Sequence, residues 1–561
     1  MSITVKVHTN SDDALLAWRP RPWPASWVGF RLERRNVLTG EVTLINNRIP
    51  PKPGGGVVPP GGIPSDLSPI RRCMWTDHAV DNADQAAWRV TPMADDGQGG
   101  FALLSDQASA WTAPVVVSGS FGNGISACFN RGTLMSQVVS RMAGAATVAA
   151  LKALKTKLAD PGYPGRRYLS GDARHMLLSF LADADRRGDA VFAALYEVND
   201  AELVQALAVF GARAHLLLGN GSGTAADKVA VLAAAGVQIR RRDLSKKGAS
   251  SPSVHNKFVV ACRPDGQKPS RVLTGSTNWT VTGLTTQLNN VMLIERPKTA
   301  ARFLAQWRAM AVAGNDMPAA LKLANAQPLK DGPVTTLFSA TSKQADFAQV
   351  LELIAGAKNG LFFLMFMPGT SPLLKALQAR AAGPDGLYTR GVVSQVYVTR
   401  DGPDEGSEPD LLSHKALVVG NGGKTVTLND KPLQPDGLPG DNLPSWAREE
   451  FDRRMFRAAG LMAIVHSKVI VIDPFSANCA VVTGSHNFSP SASARNDENL
   501  VIVRGNNALS KAYALHIDGV RDHFAWRAFL SAGGQPDVIF KPLDGWKPGG
   551  SRARELAFWM R

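Results

Sequence analysis

The segment VHSKVIVIDPFSANCAVVTGSHNFS, residues 465–489, decides the fold because its pattern occurs twice in the chain. The other copy is VHNKFVVACRPDGQKPSRVLTGSTNWT, residues 254–280. Each copy contains H-x-K, then an apolar run typical of a buried strand, then G-S-x-N. In each copy the glycine of G-S-x-N also precedes an asparagine by 15 residues, Asn290 or Asn499. A pattern of this length that occurs twice indicates two similar halves in one chain.

The residues around the two copies alternate between helix and strand patterns in the same order. In the first half, ARHMLLSFLADADRRG is typical of a helix and AVFAALYEV of a strand. In the second half, FAQVLELIAGAKNG and LFFLMFM correspond to them. We therefore predict an α/β fold of two homologous α/β/α halves, residues 119–325 and 326–561, each with a largely parallel or mixed sheet. An insertion at about residues 385–460, with the acidic loop DGPDEGSEPD, interrupts the second half.

The first 118 residues have a different sequence pattern, which predicts an accessory domain made of β-strands. Segments such as SITVKVHT, WVGFRLERRN and AAWRVTPM alternate in polarity, as strands with one buried face do. PPKPGGGVVPPGGIP, residues 50–64, is too rich in proline and glycine for a helix or a central strand. Several short strands in this length predict an all-β, sandwich-like domain over residues 1–118. Such domains more often bind or position than catalyse.

The charge of the chain indicates an anionic partner without choosing one. Lys and Arg number 62 against 47 Asp and Glu, so the formal net charge is +15. Such a charge attracts nucleic acid, anionic lipid or a phosphorylated substrate alike.

Four scattered cysteines without metal-ligand spacing suit free thiols in a reducing compartment, and we expect no zinc site. The N-terminus lacks the pattern of a signal peptide, and the longest apolar run is too short to span a bilayer. We expect a cytoplasmic protein, or one exported without a cleavable signal, and no transmembrane segment.

The two H-x-K pairs predict an anion pocket that is shared by the halves. Residues i and i+2 of a strand face the same way, so His255 lies beside Lys257, and His466 beside Lys468. The G-S-x-N turns add Asn278 to one pair and Asn487 to the other. Two lysines and two amides can bind a phosphoryl group while one histidine attacks phosphorus and the other protonates the leaving oxygen. This chemistry needs no metal or other cofactor, and the sequence shows no ligand cluster for one.

These residues resemble the signature of the phospholipase D superfamily, H-x-K-x4-D followed by G-S-x-N. The second copy matches in full, whereas the first has Cys262 where the second has Asp473. The resemblance covers residues of roughly 165–535 and looks closest to bacterial members with a β-rich N-terminal domain. It implies a bilobal fold and a phosphohistidine intermediate that is released by water or an alcohol. The motif aspartate, by the same resemblance, supports local structure, and some branches such as tyrosyl-DNA phosphodiesterases act without it.

The resemblance also implies different roles for the two histidines. In superfamily members a carboxylate downstream of G-S-x-N can orient a motif histidine across the interface between the halves. Here Glu498 occupies that position after the second motif, and Asn289 occupies it after the first. We therefore expect Glu498 to back His255 as the nucleophile, and His466 to serve as the general acid.

The expected function is phosphodiester hydrolysis, with phospholipid head groups as the first choice of substrate. A nuclease of the same superfamily is the alternative that the charge and the lack of an export signal favour. A phosphatidyl-transferring synthase is less favoured, and a degenerate anion-binding protein is left open by Cys262 and Asn289. We expect a monomer without an obligate protein partner, which binds a phosphodiester and contacts a membrane surface peripherally. Two further basic features, Arg131 in FNRG and the segment RRRDLSKKG at residues 240–248, are either anion contacts or ordinary surface.

Overall fold

The structure is a computed structural model. It describes residues 2–53, 58–59, 61–132, 139, 142–144, 147–245, 252–263, 268–384, 386–394, 416–419, 425–428, 458–461, 464–531 and 543–561, with the backbone alone at 416–419, 425–428 and 526–531. Most of the insertion expected at 385–460 therefore lies outside the described residues.

The chain divides into two compact units. The first contains Met1–Gly119 and Trp526–Arg561, and the second contains Ser120–Asp430 and Phe451–Ala525. The C-terminal residues thus belong with the N-terminal domain, although we expected the second half to run to residue 561. A long-range contact within this unit joins its two ends, because Nε2 of His8 is 2.7 Å from the carbonyl oxygen of Trp559. Trp559 is fully buried.

The first unit is built of short antiparallel strands. A three-stranded sheet has the order β1-β2-β7, and a five-stranded sheet has the order β10-β8-β3-β4 with β9 on β8. Trp18, Phe30 and Trp88 are fully buried, and Trp18 packs edge-on against Phe30. The expected β-rich N-terminal domain is present. Its strands are β1 (Ser2–Thr9), β2 (Ala14–Arg21), β3 (Trp27–Asn36), β4 (Val42–Leu44), β5 (Asn46–Asn47), β6 (Ile63–Pro64), β7 (Met74–Asp77), β8 (Gln85–Asp95), β9 (Phe101–Leu103) and β10 (Val115–Val116).

The second unit contains two mixed sheets, one for each half. The strands of the first are β11 (Ile125–Phe129), β12 (Ala190–Leu195), β13 (Ala214–Leu218), β14 (Gln238–Arg241), β15 (Lys257–Cys262), β16 (Pro269–Gly275) and β17 (Asn290–Ile294). Those of the second are β18 (Leu329–Asp331), β19 (Val334–Ser339), β20 (Gly360–Met365), β21 (Tyr388–Val393), β22 (Ala416–Val419), β23 (Thr425–Leu428), β24 (Val469–Ile472), β25 (Ala480–Gly484) and β26 (Glu498–Arg504).

The strand order of the two sheets confirms the two similar halves. The seven-stranded sheet contains the series β11-β17-β16-β15-β12-β13, and the nine-stranded sheet contains β19-β26-β25-β24-β20-β21. In both series only the last pair is parallel. The halves differ beyond it, since β14 pairs parallel to β13 whereas β22 pairs antiparallel to β21.

Helices connect and cover these strands. The second unit contains α1 (Val148–Leu158), α2 (Pro164–Arg186), α3 (Ala201–Ala208), α4 (Ala226–Ala234), α5 (Val281–Thr285), α6 (Pro297–Ala313), α7 (Ala319–Asn325), α8 (Ala348–Ala355), α9 (Pro372–Ala382), α10 (Pro490–Arg495) and most of α11 (Asn507–Ser531); α12 (Ala553–Trp559) lies in the first. Two of them begin just after G-S-x-N, where Thr280 caps α5 and Ser489 caps α10 with its hydroxyl. The sequence motif is therefore a strand end, a turn and a helix start in both halves.

Candidate active site

The motif strands are the central, fully buried strands of their sheets. The apolar runs after each lysine, residues 258–261 and 469–472, are at most 2 % exposed. Because β15 runs antiparallel to β16, and β24 to β25, the start of one strand and the end of the next share an edge. This geometry brings H-x-K and G-S-x-N together in each half.

The glycine of each G-S-x-N turn is required by its backbone. Gly275 and Gly484 both have φ of +146°, a conformation that other residues rarely adopt. A Cβ atom on Gly275 would lie 2.3 Å from the carbonyl oxygen of Asn290, and one on Gly484 would lie 2.4 Å from that of Asn499. Each turn therefore fits closely against the strand that follows it, at the asparagine 15 residues downstream.

Each motif histidine is anchored to the backbone of the opposite half. The N–H of His255 donates to the carbonyl of Asp497, and the N–H of His466 donates to that of Leu288, both at 2.9 Å. Isolated parallel bridges, Val254 with Asp497 and Leu288 with Val465, accompany these bonds. The two rings meet as a result, with centroids 6.4 Å apart.

The ring partners of the two histidines differ as expected. Nδ1 of His255 lies 2.9 Å from a carboxylate oxygen of Glu498, and Nδ1 of His466 lies 2.8 Å from the amide oxygen of Asn289. The Asn289 amide is oriented because its nitrogen donates to the carbonyl of Gly283 at 2.8 Å. Both imidazoles thus donate from Nδ1, which leaves Nε2 as the nitrogen available for phosphorus or for a leaving oxygen.

Each motif lysine is held beneath an aromatic ring. Nζ of Lys257 donates to the carbonyl of His255 at 2.8 Å and lies 5.0 Å from the centre of the Tyr196 ring. Nζ of Lys468 donates to the carbonyl of His466 and lies 5.3 Å from the Phe366 ring.

The same two aromatic rings contact the histidines. The ring centroids of Tyr196 and His255 are 4.7 Å apart, and those of Phe366 and His466 are 4.9 Å apart. Sequence reasoning missed this matched pair. Tyr196 directly follows β12 and Phe366 directly follows β20, and that shared position could have indicated them.

Burial governs the protonation of these groups. It lowers the pKa of His255 to about 4, although the Glu498 carboxylate acts to raise it. Burial, and next the charge of Lys468, hold the pKa of His466 well below its usual value. Burial lowers the pKa of Lys257 to about 7 and that of Lys468 well below its usual range. For Glu498, burial acts to raise the pKa, but the interactions with His255 and other bases outweigh it. At neutral pH both imidazoles are therefore neutral and Glu498 is a carboxylate.

The two motif asparagines end the G-S-x-N turns, at the edge of each sheet where H-x-K begins. Nδ2 of Asn278 donates to Glu197 at 3.0 Å. The amide oxygens of Asn278 and Asn487 accept no hydrogen bond within the described part of the chain. These oxygens accept and do not bind an anion, but an amide NH2 group has two N–H donors, so Asn278 keeps one N–H for an anion besides the one it gives to Glu197.

Asp473 has a different place from the other predicted site residues. Its carboxylate accepts the backbone N–H groups of Lys358, Asn359 and Gly360, at 2.6–2.9 Å, where β20 begins. It does not join the histidines and lysines, so the structure places it in the support of the strand rather than in the pocket. This explains why Cys262, fully buried at the end of β15, can stand in the corresponding position.

A buried ion pair joins the halves behind His255. Arg242 and Asp497 are both fully buried, and Nε of Arg242 is 2.6 Å from a carboxylate oxygen of Asp497. Asp497 is the residue whose carbonyl anchors His255, so the ion pair fixes that anchor. Arg242, the third residue of the basic segment at 240–248, is therefore buried between the halves and is not a surface residue. The other basic candidate, Arg131, stacks on the Tyr168 ring at 4.7 Å.

Among the described residues, no group of three or more His, Cys, Asp or Glu side chains is arranged to hold a metal ion. None of the described helices combines the length and apolar character needed to cross a bilayer.

Comparison with known proteins finds one family that matches the region of the second motif. Residues 412–518, which contain the second motif and Glu498, match the family described as "Cardiolipin synthase, PLD-like domain". This match supports the membership in the phospholipase D superfamily that the two motifs predicted. No curated protein sequence matches the chain.

Several solved structures are similar to parts of the chain. Phosphatidylserine synthase of Haemophilus influenzae Rd KW20 is 13% identical with a TM-score of 0.40, over 70% of this chain and 94% of that one. The phospholipase D family member Nuc of Salmonella typhimurium is 23% identical with a TM-score of 0.21, over 26% and 91%. Polyphosphate kinase of Porphyromonas gingivalis is 13% identical with a TM-score of 0.35, over 58% of this chain and only 42% of that enzyme.

Proposed function

We propose that the chain is a phosphodiesterase of the phospholipase D type, which hydrolyses phospholipid head groups through a phosphohistidine on His255 and without a metal. The observation that supports this proposal best is the asymmetric pair of histidines. Their ring centroids are 6.4 Å apart, and only His255 has a carboxylate, Glu498, on Nδ1. A carboxylate there stabilises the positive charge that the ring gains when Nε2 bonds to phosphorus.

In the first step, Nε2 of His255 attacks phosphorus, and the bond from phosphorus to the leaving oxygen breaks. That oxygen takes the proton from Nε2 of His466. In the empty site burial, and next the charges of the neighbouring lysines, hold the pKa of His466 down. The negative charge of a bound phosphodiester acts in the opposite direction and favours the protonated form of His466 that this step needs. Lys257, Lys468 and the two motif asparagines offset the charge on the phosphoryl oxygens.

In the second step, neutral His466 takes a proton from water, whose oxygen attacks phosphorus. The bond from phosphorus to Nε2 of His255 breaks, and both histidines return to their starting states. An alcohol in place of water would give transfer instead of hydrolysis.

A phospholipid is the preferred substrate because one chain supplies both motifs, as in many lipid-acting members of the superfamily, and because the matching family is described by a lipid enzyme, cardiolipin synthase. A nuclease is the second candidate, which the net charge of +15 favours.

The test is head-group release from vesicles of phosphatidylethanolamine and phosphatidylglycerol in EDTA, with bis(p-nitrophenyl) phosphate as a general phosphodiester. We expect release by the wild type, loss in His255→Ala and in His466→Ala, and no change in His175→Ala, an exposed histidine on α2. Activity that requires an added metal would contradict the metal-free mechanism.

Hydrolysis of the general substrate without lipid release would move the proposal to nucleic acid, which a plasmid-nicking assay with the same variants would test. Anion binding without any hydrolysis would support the non-catalytic alternative.

A further inference from the structure

Glu197 is a carboxylate at the site that the motifs do not include. It follows Tyr196 at the end of β12 and is half-buried. One oxygen accepts from Nδ2 of Asn278 at 3.0 Å, and the other accepts from the N–H of Gly223 at 2.9 Å. Glu197 is thus connected directly to a motif amide.

The loop at residues 219–223 is shaped around this carboxylate. A Cβ atom on Gly221 would lie 2.3 Å from Cγ of Glu197, and one on Gly223 would lie 2.7 Å from its Cδ. The amide oxygen of Asn220, in the same loop, accepts from the N–H of Val254, next to His255, at 3.1 Å. The carboxylate is therefore held in one place relative to the first motif.

The charge of Glu197 is unusual for an anion site. Its field acts to raise the pKa of Lys257, although burial lowers that pKa by more. In the second half Met367 directly follows Phe366, so the matched position is neutral. A fixed negative charge on one side of a phosphate pocket repels a second phosphate and attracts a cation.

We propose that Glu197 determines specificity by binding a cationic amine on the substrate, which makes amino-alcohol phosphodiesters the preferred class over polyanions. This inference rests on the proposed function and deepens it. If Asn278 donates one N–H to Glu197 and the other to the phosphate, the two anions lie about 5 Å apart, two hydrogen bonds across one nitrogen. An ammonium group two carbons from the phosphate fits between them.

The test compares phosphatidylethanolamine with phosphatidylglycerol, at equal mole fraction in micelles of a non-ionic detergent. Only phosphatidylethanolamine has a cationic amine on its head group, and a non-ionic micelle adds no surface charge of its own. We expect the wild type to prefer phosphatidylethanolamine by about tenfold in kcat/KM, the scale of one partly screened charge pair. Glu197→Gln should lose this preference through a lower kcat/KM on phosphatidylethanolamine alone.

Asn278→Ala serves as the reference for weaker phosphate binding, because its amide is placed to donate to the phosphate of either lipid and its loss should lower the activity on both. If Glu197→Gln behaves in the same way, or if it keeps the wild-type preference, the specificity proposal is wrong. Glu197→Asp keeps the charge and should retain part of the preference.

Failure of the proposed function would be recognised separately, as absence of release from both lipids by the wild type. Calorimetric binding of phosphoethanolamine and of glycerol phosphate would then decide the role of Glu197. Tighter binding of phosphoethanolamine that Glu197→Gln abolishes would support it, and equal binding of the two compounds would overturn it.

Discussion

Replacing Glu498 by glutamine tests the assignment of the nucleophile most directly. The fully buried carboxylate accepts from Nδ1 of His255 at 2.9 Å and from Nδ2 of Asn496 at 3.0 Å. A glutamine cannot keep both bonds with separate oxygens. Its NH2 group faces either Asn496, donor against donor, or His255, whose Nδ1 must then accept. The second arrangement moves the imidazole proton to Nε2, the nitrogen that is expected to attack.

The size of the effect follows from the bond that is lost. A hydrogen bond to a buried charged group contributes about 1.5–3 kcal/mol. Lost in the transition state, this energy corresponds to a decrease in kcat of about 10- to 150-fold. The acidic limb of the pH profile of kcat/KM should also move to lower pH. The carboxylate acts to raise the pKa of His255, so the pKa falls further without it, and the ring stays neutral to a lower pH.

The measurement is the rate of hydrolysis of bis(p-nitrophenyl) phosphate between pH 4 and 9, together with mass spectrometry of the protein after an alkaline quench. Glu352→Gln, which changes an exposed carboxylate on α8, is the matched control. A normal rate of phosphorylation in Glu498→Gln, or phosphate found on His466 instead of His255, would refute the assignment.

Three further changes separate support of the fold from chemistry. Asp473→Asn should lower the free energy of unfolding by about 2 kcal/mol, because an amide cannot accept all three backbone N–H groups. The kcat of the folded protein should stay unchanged. Denaturant titration, with an activity assay on the same samples, checks both outcomes. Arg242→Met should destabilise by about 3–5 kcal/mol because it leaves Asp497 buried without its partner, and adding Asp497→Asn should recover most of the loss. No recovery in this double variant would show that the ion pair is not the source of the loss. Tungstate affinity, measured by calorimetry, should fall as the pH rises above about 7, because burial lowers the pKa of Lys257 to about 7 and the deprotonated amine no longer attracts an anion. Lys257→Met should bind weakly at every pH, and a wild type without this dependence would contradict the lowered pKa.

The parts of the site that the sequence could predict are those with a repeated local pattern. H-x-K and G-S-x-N each occur twice, so the pairing of the halves and the position of Asn278 could be inferred without coordinates. The contrast between Glu498 and Asn289 was also readable, because the two residues occupy matched places in the repeat. The structure brings each beside the expected histidine.

The remaining features depend on contacts between distant residues with no repeated pattern. Glu197 reaches Asn278 because a glycine loop and a strand end happen to meet there, and one acidic residue after a strand carries no signal of that. The sequence left the segment that contains Arg242 as either an anion contact or ordinary surface, and it gave no sign that Arg242 forms a buried ion pair with Asp497. The local sequence pattern also did not predict that α12 packs in the N-terminal unit, where Trp559 contacts His8.

The backbone hydrogen bonds between the halves limit how the protein can be divided and how its sequence can change. Because the carbonyls of Asp497 and Leu288 each hold the histidine of the other half, neither half contains a complete reacting group of its own. A half produced alone would keep its imidazole and lose both the anchor and the ring partner that orient it. A cut in the chain between the halves, by contrast, would leave every anchor in place as long as the pieces stayed together. Neither copy of the motif can therefore replace the other. A substitution at an anchor or ring partner in one half affects the histidine of the other half.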